Sequence, residues 1–391
     1  DDLTPGYAIQ RIIAGLAAQG LLFADQTEPA VIEVPLGSQS HSITVGWGEM
    51  ARLAEHIATL SLPRRLTIVG DSHVADLFLA GVLGNLKAGF DAHAIVIPAG
   101  EASKDIGQLS AIYDALIERR HERGEPIVAL GGGVVGDLAG FVAATYLRGV
   151  PLIQVPTTLL AMVDSAIGGK TGINHPRAKN SIGAFYQPRA VICDPAILLT
   201  LPDRIFREGW GEIVKYGMAL DGALFTLLEA EGIRLLDRNS TQLLPIIARC
   251  AQIKADIVAG DEREAGRRMI LNYGHTIGHA LEATTGYGTL LHGEAVFLGM
   301  AVEARIAQRL GLLSADAVAR QDAISRIFYA PDHVPAIEPE AILAATRLDK
   351  KTRGGRVNWV LPVDVGDTTI TANVPDDLVL DVLRAWQAEY L

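Results

Sequence analysis

Arg268, Asn272, His275, His279 and Glu282 follow one another at intervals of 4, 3, 4 and 3 residues, the periodicity of one helix face. Such a stripe is ordinarily apolar. Here it carries a cation, an amide, two imidazoles and a carboxylate, with Gly274 and Gly278 leaving bare backbone beside them. Burying these groups without partners would cost roughly 2–7 kcal/mol each. The stripe therefore points to a cavity whose ligand or metal satisfies them, or else to a solvated face. Three of the ten histidines, His275, His279 and His292, crowd into this region. Spacing alone selects His275 and His279 as metal ligands, because histidines four apart on a helix point the same way. Satisfied core histidines are the alternative, and spacing names no carboxylate ligand.

A second constellation is a phosphate cradle. Gly131-Gly132-Gly133-Val134-Val135-Gly136-Asp137 follows the apolar run Pro126–Leu130 and opens a helix. Glycines let backbone amides approach a phosphate, and the helix N-terminus adds a favourable dipole. A Gly-rich turn with a purely structural job would read the same way. The usual acidic residue at the end of the next strand is missing; Gln154-Val155-Pro156-Thr157-Thr158 stands there and offers hydroxyls. Asp71, after LTIVG, and Glu101 and Lys104, in PAGEASK, lie upstream and are placed to serve a ribose.

Asp164, Lys170, Lys179 and Asn180 fall in VDSAIGGKTGINHPRAKNSIGAFYQP, too glycine-rich for a core element and too apolar for a disordered loop. Lysines and an amide on glycine-supported turns suit a phosphate or carboxylate; a solvated loop is the plainer reading. Glu212 and Lys215 share a helix face at i,i+3, as an ordinary surface ion pair would.

Composition sets the limits. The 391 residues are 49% hydrophobic and 20% charged, enough for a large core and two domains. A net charge of −11 argues against nucleic-acid binding. No apolar run approaches the roughly 18–20 residues of a membrane span, and the start Asp1-Asp2 has no signal-peptide character. Cys193 and Cys250 sit in apolar surroundings without metal-type spacing and read as reduced thiols of a cytoplasmic protein.

The elements that must position these groups follow from periodicity. Thr4-Pro5 reads as a helix start, opening an amphipathic helix to about Ala18. From about residue 42, short β-branched runs (SITVG, LTIVG, AHAIVIP, PIVALGGG, PLIQVP, AVICDP) alternate with helical stretches such as Ala75–Leu86 and Gln108–Arg119. That alternation implies a Rossmann-like α/β domain with a largely parallel sheet. After Leu201 the segments 206–220, 221–236, 240–259, 268–285, 293–311 and 314–328 read as helices, followed by a β-rich patch at 356–374 and a closing helix near 376–389. The expected division is a helical extension, 1–30, an α/β domain, 31–200, and a mainly α-helical domain, 201–391. A cleft between two such domains is the default place for a small-molecule site.

From about residue 42 onward the chain resembles 3-dehydroquinate synthase, of the sugar-phosphate cyclase group. The marks are GGGVVGDLAGFVAATYLRG, QVPTTLLAMVDSAIGGKTGIN, KNSIGAFYQP, EIVKYG, KADIVAGDEREAGRRMILNYGHTIGHALE, LHGEAV and LDKK, in the family's own order. The resemblance implies a dehydroquinate synthase-like fold, NAD, one divalent metal (zinc, with cobalt as the alternative) and a homodimer. It implies conversion of 3-deoxy-D-arabino-heptulosonate 7-phosphate to 3-dehydroquinate and phosphate. The steps would be transient oxidation by NAD, phosphate elimination, re-reduction and aldol closure, serving aromatic amino acid biosynthesis through the shikimate pathway. Carried over residue by residue, it implies Glu212, His275 and His292 as metal ligands, which moves His279 into the substrate pocket near the phosphate. Lys170, Asn180 and His279 would hold the phosphate, with Arg148 reaching across a dimer interface. Lys254, Arg268, Asn272 and one of Lys350 and Lys351 would hold the carboxylate and hydroxyls. Asp164, Lys179 and Lys215 also match pocket positions. Matches for NAD are Glu101, Lys104, Gly132, Gly133, Asp137, Thr157, Thr158 and Thr200, with Asp71, Lys170 and Lys179 beside them.

Two positions depart from the family pattern. Gly211 stands where alanine is more common, and Arg267 where leucine is. Cyclases making inosose or valiolone products differ at Arg268 and Asn272; retaining both favours a substrate with a carboxylate, and an amino-dehydroquinate synthase would retain them too. A metal- and NAD-dependent polyol dehydrogenase is the further rival, without need of the Lys170/Asn180/Arg268 cations. DDLTP plus the first helix is similar to the tail of a shikimate kinase, which implies one half of a fused kinase–synthase; a generic helical extension would look alike.

Overall fold

The computed structural model describes residues 5–19, 28–264, 266–329, 336–347 and 357–390. The chain divides into two compact units, residues 1–206 with 241–259, and residues 207–240 with 260–391.

Among the described residues, the first unit has nine strands. They are β1 (Ala30–Val34), β2 (His41–Val45), β3 (Arg65–Asp71), β4 (Asp91–Ile97) and β5 (Ile127–Gly131). β6 (Leu152–Pro156), β7 (Lys170–His175), β8 (Ala178–Phe185) and β9 (Ala190–Cys193) follow. Seven of them make one sheet in the order β1-β2-β9-β6-β5-β3-β4. Only the β1–β2 pair is antiparallel. β5 and β6 are buried along their whole length, as parallel strands covered on both faces require. Ile127 and Ala129 of β5 and Leu152 of β6 join Leu138, Val142, Ile112 and Leu116 in one core.

Strand β3 pairs with β4 on one side and β5 on the other. Strand order therefore reverses there, and the carboxyl ends of β3, β5 and β6 lie side by side. In open α/β sheets this reversal is where ligands bind. Asp71 ends β3, Gly131 ends β5, and Thr157-Thr158 follow β6.

Composition predicts glycine-supported turns or a solvated loop around Lys170–Asn180. That stretch is instead the antiparallel hairpin β7–β8. Gly172 and Gly183 face each other across it, and a Cβ on either would lie 2.5 or 2.1 Å from the opposite strand's carbonyl oxygen. Those glycines are what two strands in such close approach demand. Helix Pro5–Ala18 belongs to this unit, with Ala18 O accepting from Asn85 Nδ2 at 2.6 Å. So does helix Leu243–Gly260. Cys193 and Cys250 are both buried and in no disulfide.

The second unit is mainly helical. Asp203–Leu220 enters it, followed by Gly222–Glu231, His275–Thr285, His292–Arg309, Ala315–Phe328, Pro339–Thr346 and Asp376–Tyr390. A two-stranded hairpin, β10 (Trp359–Asp364) with β11 (Asp367–Thr371), accounts for the β-rich patch. Trp210 stacks on Phe328 with ring centroids 4.5 Å apart, and both are fully buried. No described helix is long and apolar enough to cross a membrane.

One expectation fails here. Residues 268–285 are not one helix: Arg267–Asn272 is a 3-10 turn, and the α-helix starts afresh at His275. Gly274 between them has φ +78°, a left-handed residue that breaks the helical path.

Candidate active site

Three helices of the second unit bring Glu212, His275 and His292 together, with one ligand-type atom from each within 4.8 Å of the others. His275 opens the helix His275–Thr285, His292 opens His292–Arg309, and Glu212 lies inside Asp203–Leu220. Glycines next to these residues explain the approach. A Cβ on Gly211 would sit 2.6 Å from Gly293 O, and one on Gly293 would sit 1.8 Å from Glu208 O. One on Gly299 would sit 1.9 Å from Gly274 O. The helices cross backbone to backbone beside the residues they present. The glycine at 211, unusual for the pattern the chain resembles, is accounted for by that crossing.

The donors are set up for a cation. His275 Nδ1 donates to Tyr273 O at 3.0 Å, which leaves Nε2 its lone pair, 3.4 Å from Glu212 Oε1. His292 Nε2 lies 3.4 Å from the same oxygen, and its Nδ1 is 3.5 Å from Glu282 Oε2. Glu212 is fully buried, and its other oxygen accepts from Lys215 Nζ. Glu212 and Lys215 thus form an i,i+3 pair as expected, but both are buried, where a surface pair would be solvated. Burial alone would favour a neutral His292 ring, yet Glu212 and Glu282 on its two sides raise its pKa to about 10. Glu212 and Glu282 concentrate negative charge around His292. Two imidazole nitrogens and a carboxylate oxygen, with carboxylate and carbonyl acceptors behind the rings, fit a zinc-type dication.

A second set, His279, Glu282 and His292, also lies within 4.8 Å. It shares His292 but would use that ring's Nδ1, the side facing Glu282. His279 stands edge-on to His275, centroids 5.3 Å apart, and is partly exposed.

Arg268 and Asn272 lie on the 3-10 turn that precedes the helix opened by His275. Arg268 is almost wholly buried; its guanidinium donates to Glu262 O, and its backbone N–H to Asp261 Oδ2 at 3.0 Å. Asn272 Nδ2 donates to Glu264 Oε1 at 3.0 Å. Arg267 is exposed, so a charge costs nothing where leucine is commoner. Lys350 and Lys351 lie outside the described residues.

In the first unit, Gly132 is the N-cap of helix Gly133–Thr145 and offers no capping side chain. A Cβ on Gly132 would meet Thr158 Cγ2 at 3.0 Å, and one on Gly133 would meet Ser165 Oγ at 3.1 Å. The bare amides at a helix N-terminus suit a pyrophosphate. Asp71 caps the next short helix through Val74 N–H, 3.0 Å. Thr157 and Thr200 are buried, and Thr200 Oγ1 donates to Ile197 O at 2.8 Å.

Lys104 Nζ joins Asp137 to Asn180, donating to Asp137 Oδ2 and Asn180 Oδ1. Burial pushes the Asp137 carboxyl pKa up, and Lys104 pulls it back. Asn180 has φ +50°, a backbone region asparagine tolerates better than most residues. Asn174, which sequence reasoning passed over, locks this arrangement. Its Nδ2 donates to Glu101 Oε1 at 2.7 Å, and its Oδ1 accepts from Asn180 N–H at 2.8 Å. Lys254 donates to both Asp164 O and Asp164 Oδ1 at 2.6 Å. Lys170 is exposed, Lys179 half-buried, and Arg148 exposed with φ +63°.

The class follows from fold and site together. A 2-epi-5-epi-valiolone synthase from Streptomyces hygroscopicus subsp. jinggangensis, solved with NAD+ and Zn2+ bound, matches with a TM-score of 0.83 and 29% identity, covering 93% of this chain and 100% of that one. A 2-deoxy-scyllo-inosose synthase complexed with carbaglucose-6-phosphate, NAD+ and Co2+ gives 0.82 and 27%, with the same coverage, 93% and 100%. The architecture is that of the dehydroquinate synthase-like sugar-phosphate cyclases.

Sequence comparison narrows this further. Residues 94–208 match the family model of the 3-dehydroquinate synthase N-terminal region, and residues 209–352 that of its C-terminal region. A 3-dehydroquinate synthase from Nostoc punctiforme is 45% identical over 359 residues, 91% of this chain and 99% of that protein. The chain belongs to the 3-dehydroquinate synthase family.

Proposed function

We propose that this protein is a 3-dehydroquinate synthase, a carbon–oxygen lyase that converts 3-deoxy-D-arabino-heptulosonate 7-phosphate to 3-dehydroquinate and phosphate. The observation that carries the reading is the convergence of buried Glu212 and His275 with half-buried His292 in a chain 45% identical to proteins of that name.

When bound, NAD supplies a hydride acceptor that returns what it takes, and a zinc or cobalt dication polarises the sugar oxygen being oxidised. The protein's own residues do the positioning. Glu212, His275 and His292 hold the dication, and Lys215 balances the second oxygen of Glu212. The amides of Gly132 and Gly133 take the pyrophosphate, and Asp71, Glu101, Lys104, Asp137, Thr157, Thr158 and Thr200 surround the rest of the nucleotide. Lys170, Lys179, Asn180 and His279 grip the substrate phosphate, joined by Arg148 from a second copy in a homodimer. Arg268, Asn272 and Lys254, the last oriented by Asp164, take the carboxylate and hydroxyls, together with one of Lys350 and Lys351. Fixing both acidic ends of the sugar lets its own phosphate remove the proton beside the transient ketone as that phosphate departs, an effective-molarity gain. The buried guanidinium of Arg268 favours a substrate that carries a carboxylate. We place the enzyme in the cytoplasm.

The test is incubation with the heptulosonate phosphate, NAD and zinc, following phosphate, dehydroquinate and NADH together. Equal phosphate and dehydroquinate without NADH accumulation supports the proposal. NADH rising in step with substrate loss, with no phosphate released, would identify a polyol dehydrogenase instead.

A further inference from the structure

Glu303 is fully buried on the helix His292–Arg309. Its two carboxylate oxygens accept from the backbone N–H groups of Gly274, at 2.7 Å, and Ile277, at 3.0 Å. Those amides open the helix His275–Thr285, which has no side-chain cap of its own. Its N-cap position cannot supply one: Gly274 has φ +78°, and a Cβ there would lie 2.6 Å from Met300 Cγ and 2.9 Å from Val296 O. A single carboxylate therefore caps, from a neighbouring helix, the helix that carries His275, and it does so from the same helix that carries His292.

The crossing around this cap is made by small residues. Gly274 packs on Gly299, and Gly278 on Ala295, so the two helix backbones approach closely. The ionic cap is a directional contact at this crossing, beside the hydrogen bond from Tyr273 OH to Met300 O at 3.2 Å. Negative charge at a helix N-terminus is favourable in itself, and a buried carboxylate without donors would be costly.

We infer that Glu303 is a positioning residue for the metal centre: by holding the start of the His275 helix against the His292 helix, it sets the distance and angle between the two imidazole donors. The inference deepens the metal reading above and rests on it.

Glu303→Gln keeps the shape but loses the charge and turns an NH2 toward one of the two amides. Metal-free wild type and variant are titrated with Co2+, following the visible d–d bands, and with Zn2+ against a competing chelator. The variant should bind about 10-fold more weakly or worse, a typical cost for losing a group that orients ligands, and its Co2+ spectrum should shift. Should Glu303→Gln fail to fold, Glu303→Asp retains the charge but reaches less far, and the same shift and weaker binding are expected. Arg305→Ala, two residues along the same helix, removes ion pairs to Asp322 and Glu389 and serves as the control for general loosening. It should lower thermal stability while leaving the Co2+ spectrum and affinity intact. Wild-type affinity and spectrum in the Glu303 variants, or an equal change in Arg305→Ala, would overturn the inference. Failure of the wild-type protein itself to bind metal would instead overturn the metal reading on which it rests.

Discussion

Glu282 stands behind His292, its Oε2 3.5 Å from Nδ1, on the side of the ring away from Glu212. This is the carboxylate–histidine arrangement that fixes which ring nitrogen faces a metal. Glu282→Gln should therefore weaken Zn2+ binding by about 10–100-fold while the fold persists. Chelator competition measures it; unchanged affinity would show that the Glu282 carboxylate does not orient His292.

Asn174 joins Glu101 to Asn180 through two side-chain hydrogen bonds. Each such bond contributes about 0.5–1.5 kcal/mol. Asn174→Ala should raise the KM values for NAD and for the sugar phosphate together, by up to about 10-fold each. Zinc affinity should stay at the wild-type value, because the donors of that site all belong to the second unit. A change in zinc binding without a change in either KM would refute the assignment.

Two buried histidines of the first unit give the protein an acid-side weakness. Burial lowers the pKa of His121 and of His41 below the ordinary 6.5. His121 is satisfied as a neutral ring, with Thr67 Oγ1 at Nδ1 and Glu125 O at Nε2. The unfolded chain takes up protons near 6.5, whereas the folded chain resists until lower pH. Stability present above 6.5 is thus lost as pH falls below it, at up to about 1.4 kcal/mol per pH unit for each ring. The gain in urea-unfolding stability from pH 5 to pH 8 should be smaller in His121→Gln than in the wild type. The same pH dependence in both proteins would contradict this account.

How much of this was legible in the sequence depends on the range of the contact. The strand–helix alternation and the glycine-led helix at Gly133 are local patterns, and the parallel sheet follows them. The 4-3-4-3 stripe marks residues with chemistry but misjudges their backbone. Periodicity cannot register that Gly274 is left-handed, so Arg268 and Asn272 leave the helix that holds His275, His279 and Glu282. Nor can spacing along one helix find Glu212, Glu303 or the side of His292 that faces Glu212. Those groups arrive from other helices, through glycine crossings that only three-dimensional packing reveals. Glu212 and His292 were named by family resemblance, and Asn174 and Glu303 by neither route. The hairpin β7–β8 was hidden by its glycines, which read as turns but serve two strands in close contact.

The most direct test of the metal assignment is Co2+ titration of the wild type, His275→Ala and His279→Ala, read by stoichiometry and by the visible spectrum. The account predicts one equivalent bound by wild type and by His279→Ala, and none by His275→Ala. Tight stoichiometric binding by His275→Ala, with loss in His279→Ala, would place the ion among His279, Glu282 and His292 and contradict it.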